Sequence, residues 1–269
     1  MTAARLTGRG LGAPAAAVNA ARPQASLPIV SPAGPPDMEA MAIHPLDRAV
    51  WRSLTTRQAP LGLTQGGARR FRPEYGLFAA LDDESDESLA GLAALVAAHG
   101  PTAIVEDHAP PVVPGTRIAQ SGELVQMICE ALEPAPRAPG VAVAPLTDAD
   151  APQMLALATL TRPGPFFART HQLGEFIGVK VDGRLAAMAG ERMKPEGFIE
   201  VSGVCTHPDH RGRGYAGVLS RIVAERIIAR GETPFLHAFA ENAPAIGLYE
   251  TLGFRIRARP AMTVLAPVR

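Results

Sequence analysis

The stretch Glu200-Val-Ser-Gly-Val-Cys-Thr-His-Pro-Asp-His-Arg-Gly-Arg-Gly-Tyr-Ala216 concentrates the residue types that bind an anion. The β-branched and apolar text over 198–206 reads as a strand, Pro208 breaks it, and Arg211-Gly212-Arg213-Gly214 makes a turn before an apolar helix over 217–230. A strand end, a glycine turn and a helix start together aim free backbone N–H groups and the positive end of a helix macrodipole at one point, which favours a phosphate or pyrophosphate. Glycine lets the backbone approach the anion closely, and the two arginines add charge. Two familiar versions of this physics do not fit. Gly212, Gly214 and Gly217 match Gly-x-Gly-x-x-Gly formally, but the acidic residue that dinucleotide folds place on a second strand end about twenty residues on is missing, and Glu232 lies in the next loop. A P-loop needs Gly-Lys-Ser/Thr, and no lysine stands near this turn.

Downstream, Asn242-Ala-Pro-Ala-Ile-Gly-Leu-Tyr-Glu-Thr-Leu-Gly-Phe254 supplies a second motif, one helix and one strand later. Together the two resemble the GNAT superfamily of acyl-coenzyme A dependent N-acetyltransferases, over residues 141–269. The family's pyrophosphate loop, Arg/Gln-x-x-Gly-x-Gly/Ala, is matched by Arg211, Gly214 and Ala216, following a strand that ends as Val204 to Pro208 do. The second motif is similar to the family's closing Asn-x-x-Ala and Tyr-x-x-x-Gly-Phe text. Within the superfamily, residues 202–213 are most similar to the glycine N-acyltransferase-like branch. The resemblance implies an α/β (α+β) fold with a mixed, mostly antiparallel sheet flanked by helices. It implies acetyl-coenzyme A as co-substrate and transfer of the acetyl group to a primary amine of a small molecule or amino acid by direct attack in a ternary complex. It places the pyrophosphate on Arg211, Gly212, Arg213, Gly214, Tyr215 and Ala216. The pantetheine falls to Asn242 and to free backbone groups of Val204, Cys205 and Thr206 on a splayed central strand.

Transfer from a thioester to an amine needs an aligned thioester, a polarised carbonyl, a base for the ammonium and often an acid for the thiolate. Glu200 stands where some members of the family carry a carboxylate base. Strand alternation puts it on one face with Ser202 and Val204, opposite Val201, Gly203 and Cys205. A solvated strand carboxylate reads equally well, and Glu191 on the neighbouring strand is a weaker competitor. Tyr249 matches the family's tyrosine near the coenzyme sulfur, an acid for the departing thiolate, and it also falls in register with Ala245, Ile246 and Leu252 as a core residue would. Asn242 caps a helix or meets pantetheine. Cys205 is expected to be a buried free thiol rather than a nucleophile. His171, His207, His210 and His237 are scattered without metal-ligand spacing, so no metal site is expected.

The elements that must position these residues occupy a chain of 269 residues, 47% apolar, long enough for one large or two small domains. Its 26 basic and 26 acidic side chains cancel, which argues against nucleic acid or an anionic membrane as partner. Two cysteines cannot build a disulfide scaffold, so a reducing, cytoplasmic setting is expected, with a monomer or homodimer. Residues 1–40, rich in Ala, Pro and Gly, are expected to be disordered, and either a transit peptide or a start at Met38 or Met41 fits them. Residues 41–138 read as an N-terminal α/β domain, consistent with a degenerate GNAT-like half without a phosphate turn: a helix over 46–58, a strand over 75–81, a helix over Asp86–His99, and strands over 102–106 and 116–129. Its expected work is to extend the sheet or wall the acceptor cleft. Residues 134–145 read as a linker to the catalytic domain at 139–269, which is expected to bind coenzyme A by itself. There a helix over 148–160 precedes two strands joined at Asp182-Gly183, the strand and helix of the anion turn, a strand over 234–239, a helix over 244–252 and a final hairpin broken at Pro260. The acceptor is expected to meet the 161–171 loop, the strand around Arg192 and the region of Arg257 and Arg259. Two rival readings keep the fold: a catalytically silent acyl-coenzyme A sensor, and a modifier of protein N-termini or lysines.

Overall fold

The computed structural model describes residues 44–108, 111–134 and 140–268, so the disorder expected for residues 1–40 lies outside the described residues. The chain enters through a 3-10 turn into helix α1 (Ala49–Thr55), then a small antiparallel sheet of β1 (Gly62–Gln65), β2 (Ala68–Phe71) and β3 (Ala79–Leu81). Helix α2 (Asp86–His99) follows, capped by Ser85 at its start and stopped at Gly100. Strands β4 (Thr102–Glu106) and β5 (Thr116–Ile128) come next, then β6 (Ala144–Leu146) and helix α3 (Ala151–Thr161). The remainder is β7 (Phe176–Val181), β8 (Arg184–Glu191), β9 (Phe198–Thr206), α4 (Tyr215–Ala229), β10 (Thr233–Phe239), α5 (Ala243–Leu252), β11 (Arg255–Ala258) and β12 (Ala261–Pro267).

Nine of these strands make one mostly antiparallel sheet in the order β4-β12-β5-β10-β9-β8-β7-β6, with β11 also on β5. Helices α4 and α5 cover one face, burying Leu219, Val223, Ile227 and Tyr249 against Val179, Ala187, Val201 and Leu236. Helix α3 covers the other through Met154, Leu157 and Ala158 on Phe176, Met188 and Cys205. Leu46, Leu54, Phe71 and Phe78 from the first segment pack on Leu124, Met193, Phe235 and Met262.

Four expectations need correction. The boundary near residue 138 does not divide the chain, because residues 43–269 are one compact unit in which β5 lies between β10 and β12. An inner strand has both edges hydrogen-bonded and cannot belong to a separate body. The end of the supposed linker, of which residues 135–139 lie outside the described residues, runs into β6, which pairs with Phe176, Ile177 and Gly178. The strand over 75–81 shrinks to β3, while β1 and β2, short and carrying Thr64, Arg69 and Arg70, lack the apolar alternation that would announce them. The final hairpin is instead one interrupted strand, since β11 and β12 both run antiparallel to β5 on its same edge.

A β-bulge in β9 overturns the facing assigned by alternation. Met188 pairs with Cys205 but Gly190 pairs with Ser202, so one extra residue is inserted, and Gly203 there takes φ +64°. The bulge carries Val204 to the face of Val201, toward α4, and Cys205 to the opposite face, toward α3. A side chain at 203 would suffer the left-handed backbone and meet the Phe176 ring, 2.9 Å from an added Cβ.

A chain beginning at Val141 would lack β5, leaving β10 without its antiparallel neighbour and β11 and β12 without the sheet. We expect such a fragment to be unfolded or aggregated by far-UV circular dichroism and gel filtration. A soluble, folded fragment that binds coenzyme A would restore the two-domain division.

Candidate functional site

The strand that carries the bulge also parts from its neighbour. Strand β10 pairs in parallel with β9 over Thr233↔Phe198, Pro234↔Ile199 and Phe235↔Glu200 and then leaves it, continuing along β5 to Phe239. Beyond Glu200 the β10-side edge of β9 is therefore open. His207 donates its N–H to Ala186 of β8 at 2.8 Å. Alternate amides of a strand point to opposite sides, so Val204 and Thr206 turn theirs into the gap.

That gap continues as a cleft of about 500 Å³ lined by Val204, Cys205, Thr206, residues 211–217, Asn242, Leu248 and Tyr249. Every residue assigned to the coenzyme from the sequence thus lies on one surface. At one end, Gly212 and Gly214 both have φ +76°, and Gly214 caps α4 without any side-chain hydrogen bond. The first turn of α4 contains no acidic residue, so its N–H groups and the macrodipole are uncompensated and open to an anion beside Arg211 and Arg213. At the other end Asn242 uses its side-chain oxygen to accept from the Ala245 N–H at 3.3 Å, capping α5, while its amide N–H₂ is free for a ligand. Both roles anticipated for Asn242 are compatible in one rotamer.

Tyr249 joins this cleft to a second cavity of about 160 Å³. The second cavity is walled by Phe78, Leu124, Phe239 and Met262, with Arg162, Arg192, Ser202 and His237 as polar groups. Burial, with a smaller contribution from Cys205, pushes the Tyr249 phenol up to about 12. Burial likewise pushes the Cys205 thiol up to about 11, which removes it as a thiolate nucleophile. Among the described residues the Tyr249 hydroxyl makes no hydrogen bond, and the residue lines both cavities.

Glu200 does not join this surface. It is completely buried, and all its acceptor capacity is engaged: Arg192 donates Nε and Nη2 to its two oxygens at 2.8 and 2.7 Å, His237 donates Nδ1 at 2.8 Å, and the Met193 N–H approaches to 3.3 Å. Burial opposes its ionisation, but Arg192 and then His237 outweigh it and hold the carboxyl at about 2. A carboxylate so acidic and enclosed cannot take a proton from an ammonium, so the expected base role is corrected to one of holding Arg192 and His237. The histidine's tautomer follows from its other neighbour. Gln126 gives its amide hydrogens to Leu46 O at 2.9 Å and to His237 Nε2 at 3.1 Å, and its oxygen accepts from Arg257 at 2.6 Å. Nε2 therefore accepts and Nδ1 carries the proton. Glu191, the weaker competitor, is also buried and ion-paired, with Arg230 and with Lys194 at 2.9 Å.

Sequence reasoning missed how Arg162, His237 and Phe78 meet. They come from the end of α3, from β10 and from the segment before β3, and only the registers between distant strands bring them together. A local hint for Arg162 existed in Pro163-Gly164, which stops the helix. Among the described residues there is no cluster of three or more His, Cys, Asp or Glu that could hold a metal ion, and no helix is long and apolar enough to cross a membrane.

Comparison with known proteins gives a consistent picture. The family model for FR47-like proteins matches residues 177–262, which run from β7 to β12. A crystal structure from Novosphingobium aromaticivorans, assigned to the GNAT family as an acetyltransferase, is 46% identical, with a TM-score of 0.77 over 84% of this chain and 100% of its own. A GCN5-related N-acetyltransferase from Kribbella flavida shares the fold at 18% identity, with a TM-score of 0.59 over 86% of this chain and 97% of its own. No curated protein matches significantly.

If Glu200 is a holding residue, Glu200→Gln leaves the Arg192 charge buried and should cost about 3–5 kcal/mol at neutral pH. The native carboxyl lies near 2, below its ordinary 4.5. Its contribution is therefore full above about pH 4.5 and is lost as pH falls toward 2. Urea unfolding at pH 7 and pH 3 should show the wild-type advantage shrinking in acid. Unchanged stability with abolished turnover would return Glu200 to the role of base.

Proposed function

The chain belongs to the GNAT superfamily of acetyltransferases, and from that premise we propose that it moves an acetyl group from acetyl-coenzyme A to a primary amine of a small molecule. The observation that carries this reading is the meeting of two cavities at Tyr249. One has the backbone chemistry of a coenzyme site, and the other, at about 160 Å³, falls below the roughly 300–1,000 Å³ of drug-sized sites. So small a second cavity favours a small amine over a folded protein. The wording of residues 202–213 further suggests the glycine N-acyltransferase-like branch.

The division of labour follows from the residues. The α4 turn with Arg211, Arg213 and Gly214 fixes the pyrophosphate, and the open edge at Val204 and Thr206 aligns the pantetheine. The amide of Asn242 helps to hold the same arm. Those N–H groups also face the thioester carbonyl, where they stabilise the charge that develops on its oxygen. Tyr249 keeps its proton at every physiological pH, passes it to the departing sulfur and recovers one from the nitrogen that has attacked. The burial that keeps the Tyr249 phenol neutral also disfavours a bare thiolate beside it, which favours the transfer. Among the described residues no carboxylate lines the second cavity, so the acceptor ammonium loses its proton to solvent before attack, and the Arg162 guanidinium nearby favours that loss.

A panel of amines assayed with acetyl-coenzyme A by release of free thiol tests the activity. Coenzyme binding with no amine acetylated would favour the sensor reading, and turnover confined to peptides would favour the N-terminal modifier. Gly214→Val should abolish coenzyme affinity in a protein that still folds, because valine is strained at φ +76° and fills the anion's place. Unchanged affinity by calorimetry would refute the assignment of the turn. Tyr249→Phe should lower turnover roughly ten- to a thousandfold with little change in melting temperature. Equal activity would make Tyr249 a core residue alone.

A further inference from the structure

The second cavity has an electrostatic signature that selects among amines. Its charged lining groups are two guanidiniums, Arg162 and Arg192, and among the described residues no aspartate or glutamate lines it. The guanidiniums are not equivalent. Arg192 is half satisfied: Nε and one edge of Nη2 engage Glu200, its Cζ stacks 4.6 Å over the Phe78 ring, and its remaining N–H groups are uncommitted. Arg162 has no ion-pair or side-chain hydrogen-bond partner among the described residues. It sits at the C-terminal cap of α3 in the left-handed region, φ 51° and ψ 56°, a conformation that non-glycine residues rarely adopt. Such a cap is usually glycine. Here the strain places a free cation at the mouth shared by both cavities. The rest of the wall is apolar, with Phe78, Val105, Leu124, Phe239 and Met262.

We propose that the acceptor is a monoamine with an apolar body and one carboxylate, the carboxylate being held by Arg162 and by the uncommitted edge of Arg192. This rests on the reading of the second cavity as the acceptor site and deepens it. A diamine would bring a second ammonium against two guanidiniums with no lining carboxylate to receive it, and a plain alkylamine would leave both guanidiniums without an anion. Glu200 belongs to this device, because it turns Arg192 edge-on to the cavity and cancels its charge from behind. Arg162 then carries the net positive charge of the site.

The test compares leucine and phenylalanine with isoamylamine and phenethylamine, their decarboxylated counterparts, and with putrescine. Two readouts are taken: kcat/KM by thiol release, and calorimetric binding to protein saturated with coenzyme A. The amino acids should be preferred by roughly tenfold or more in both readouts, the range expected for a hydrogen-bonded charge, with putrescine weakest. Arg162→Gln should raise KM for the amino acids roughly tenfold more than for the plain amines, so that the preference collapses. Its coenzyme affinity is measured separately, because Arg162 also borders the coenzyme cleft. Arg192→Lys, which keeps a charge for Glu200 but loses the planar fork, should weaken the same preference in a folded protein. Equal or better binding of the decarboxylated amines, or of putrescine, would overturn the proposal. Selective binding of the amino acids without acetyl transfer would uphold it and overturn the acetyltransferase reading instead.

Discussion

A carboxylate with no access to water has to be surrounded by donors, and Glu200 obtains them from elements that would otherwise separate. Arg192 and the Met193 N–H lie just beyond the end of β8, and His237 lies on β10, past the last residue that pairs with β9. The ion pair therefore sits where the two central strands part, and His237 spans the gap at its root. Separating any of these groups would strand a buried charge, a cost of several kcal/mol, so the width of the opening is set by the geometry of one side chain. The coenzyme cleft and the second cavity both begin at that opening.

The first segment of the chain serves the same construction from outside. Gln58 accepts from the Lys194 N–H at 3.0 Å and donates to Arg192 O at 2.7 Å, and Ser53 Oγ accepts from the Lys194 N–H at 3.1 Å. Arg57 reaches Lys194 O, Pro195 O and Phe198 O as well as Glu232. These contacts satisfy backbone groups in the turn between β8 and β9 that sheet pairing leaves unpaired, and so they fix the backbone from which Arg192 projects. Phe78, from the same segment, supplies the ring beneath its guanidinium. Residues without chemistry of their own thus decide where a charged side chain points.

Much of this was legible from local text. The span of α2, the strand-turn-helix of the anion site and the Asp182-Gly183 turn are written in caps, glycines and periodicity, which act over a few residues. The coenzyme surface was legible for the same reason, since its residues come from one contiguous stretch and one helix start. What could not be read is set by strand register across long separations. Glu200 looks like a surface carboxylate until Arg192 and His237 are brought to it, and the facing of Val204 depends on a bulge whose only textual sign is Gly203. The position of β5 was hidden too, because a strand of 13 residues that is mostly polar and exposed up to Glu123 and buried only from Leu124 on reads more readily as an edge than as a centre.

The placement of β5 has a bearing on how the molecule is made. Its partners on one side are residues 235–239 and on the other residues 255–267, all more than a hundred positions further along the chain. A ribosome delivers β5 long before either partner exists, so both of its edges stay open while most of the polypeptide is still being synthesised. The sheet closes only when β12 emerges, which ties assembly of the cleft to synthesis of residues 261–267. Such long-range closure is slow compared with local helix formation. Early stop codons or stalled translation would thus release chains with β5 unpaired on both edges rather than partly working enzymes.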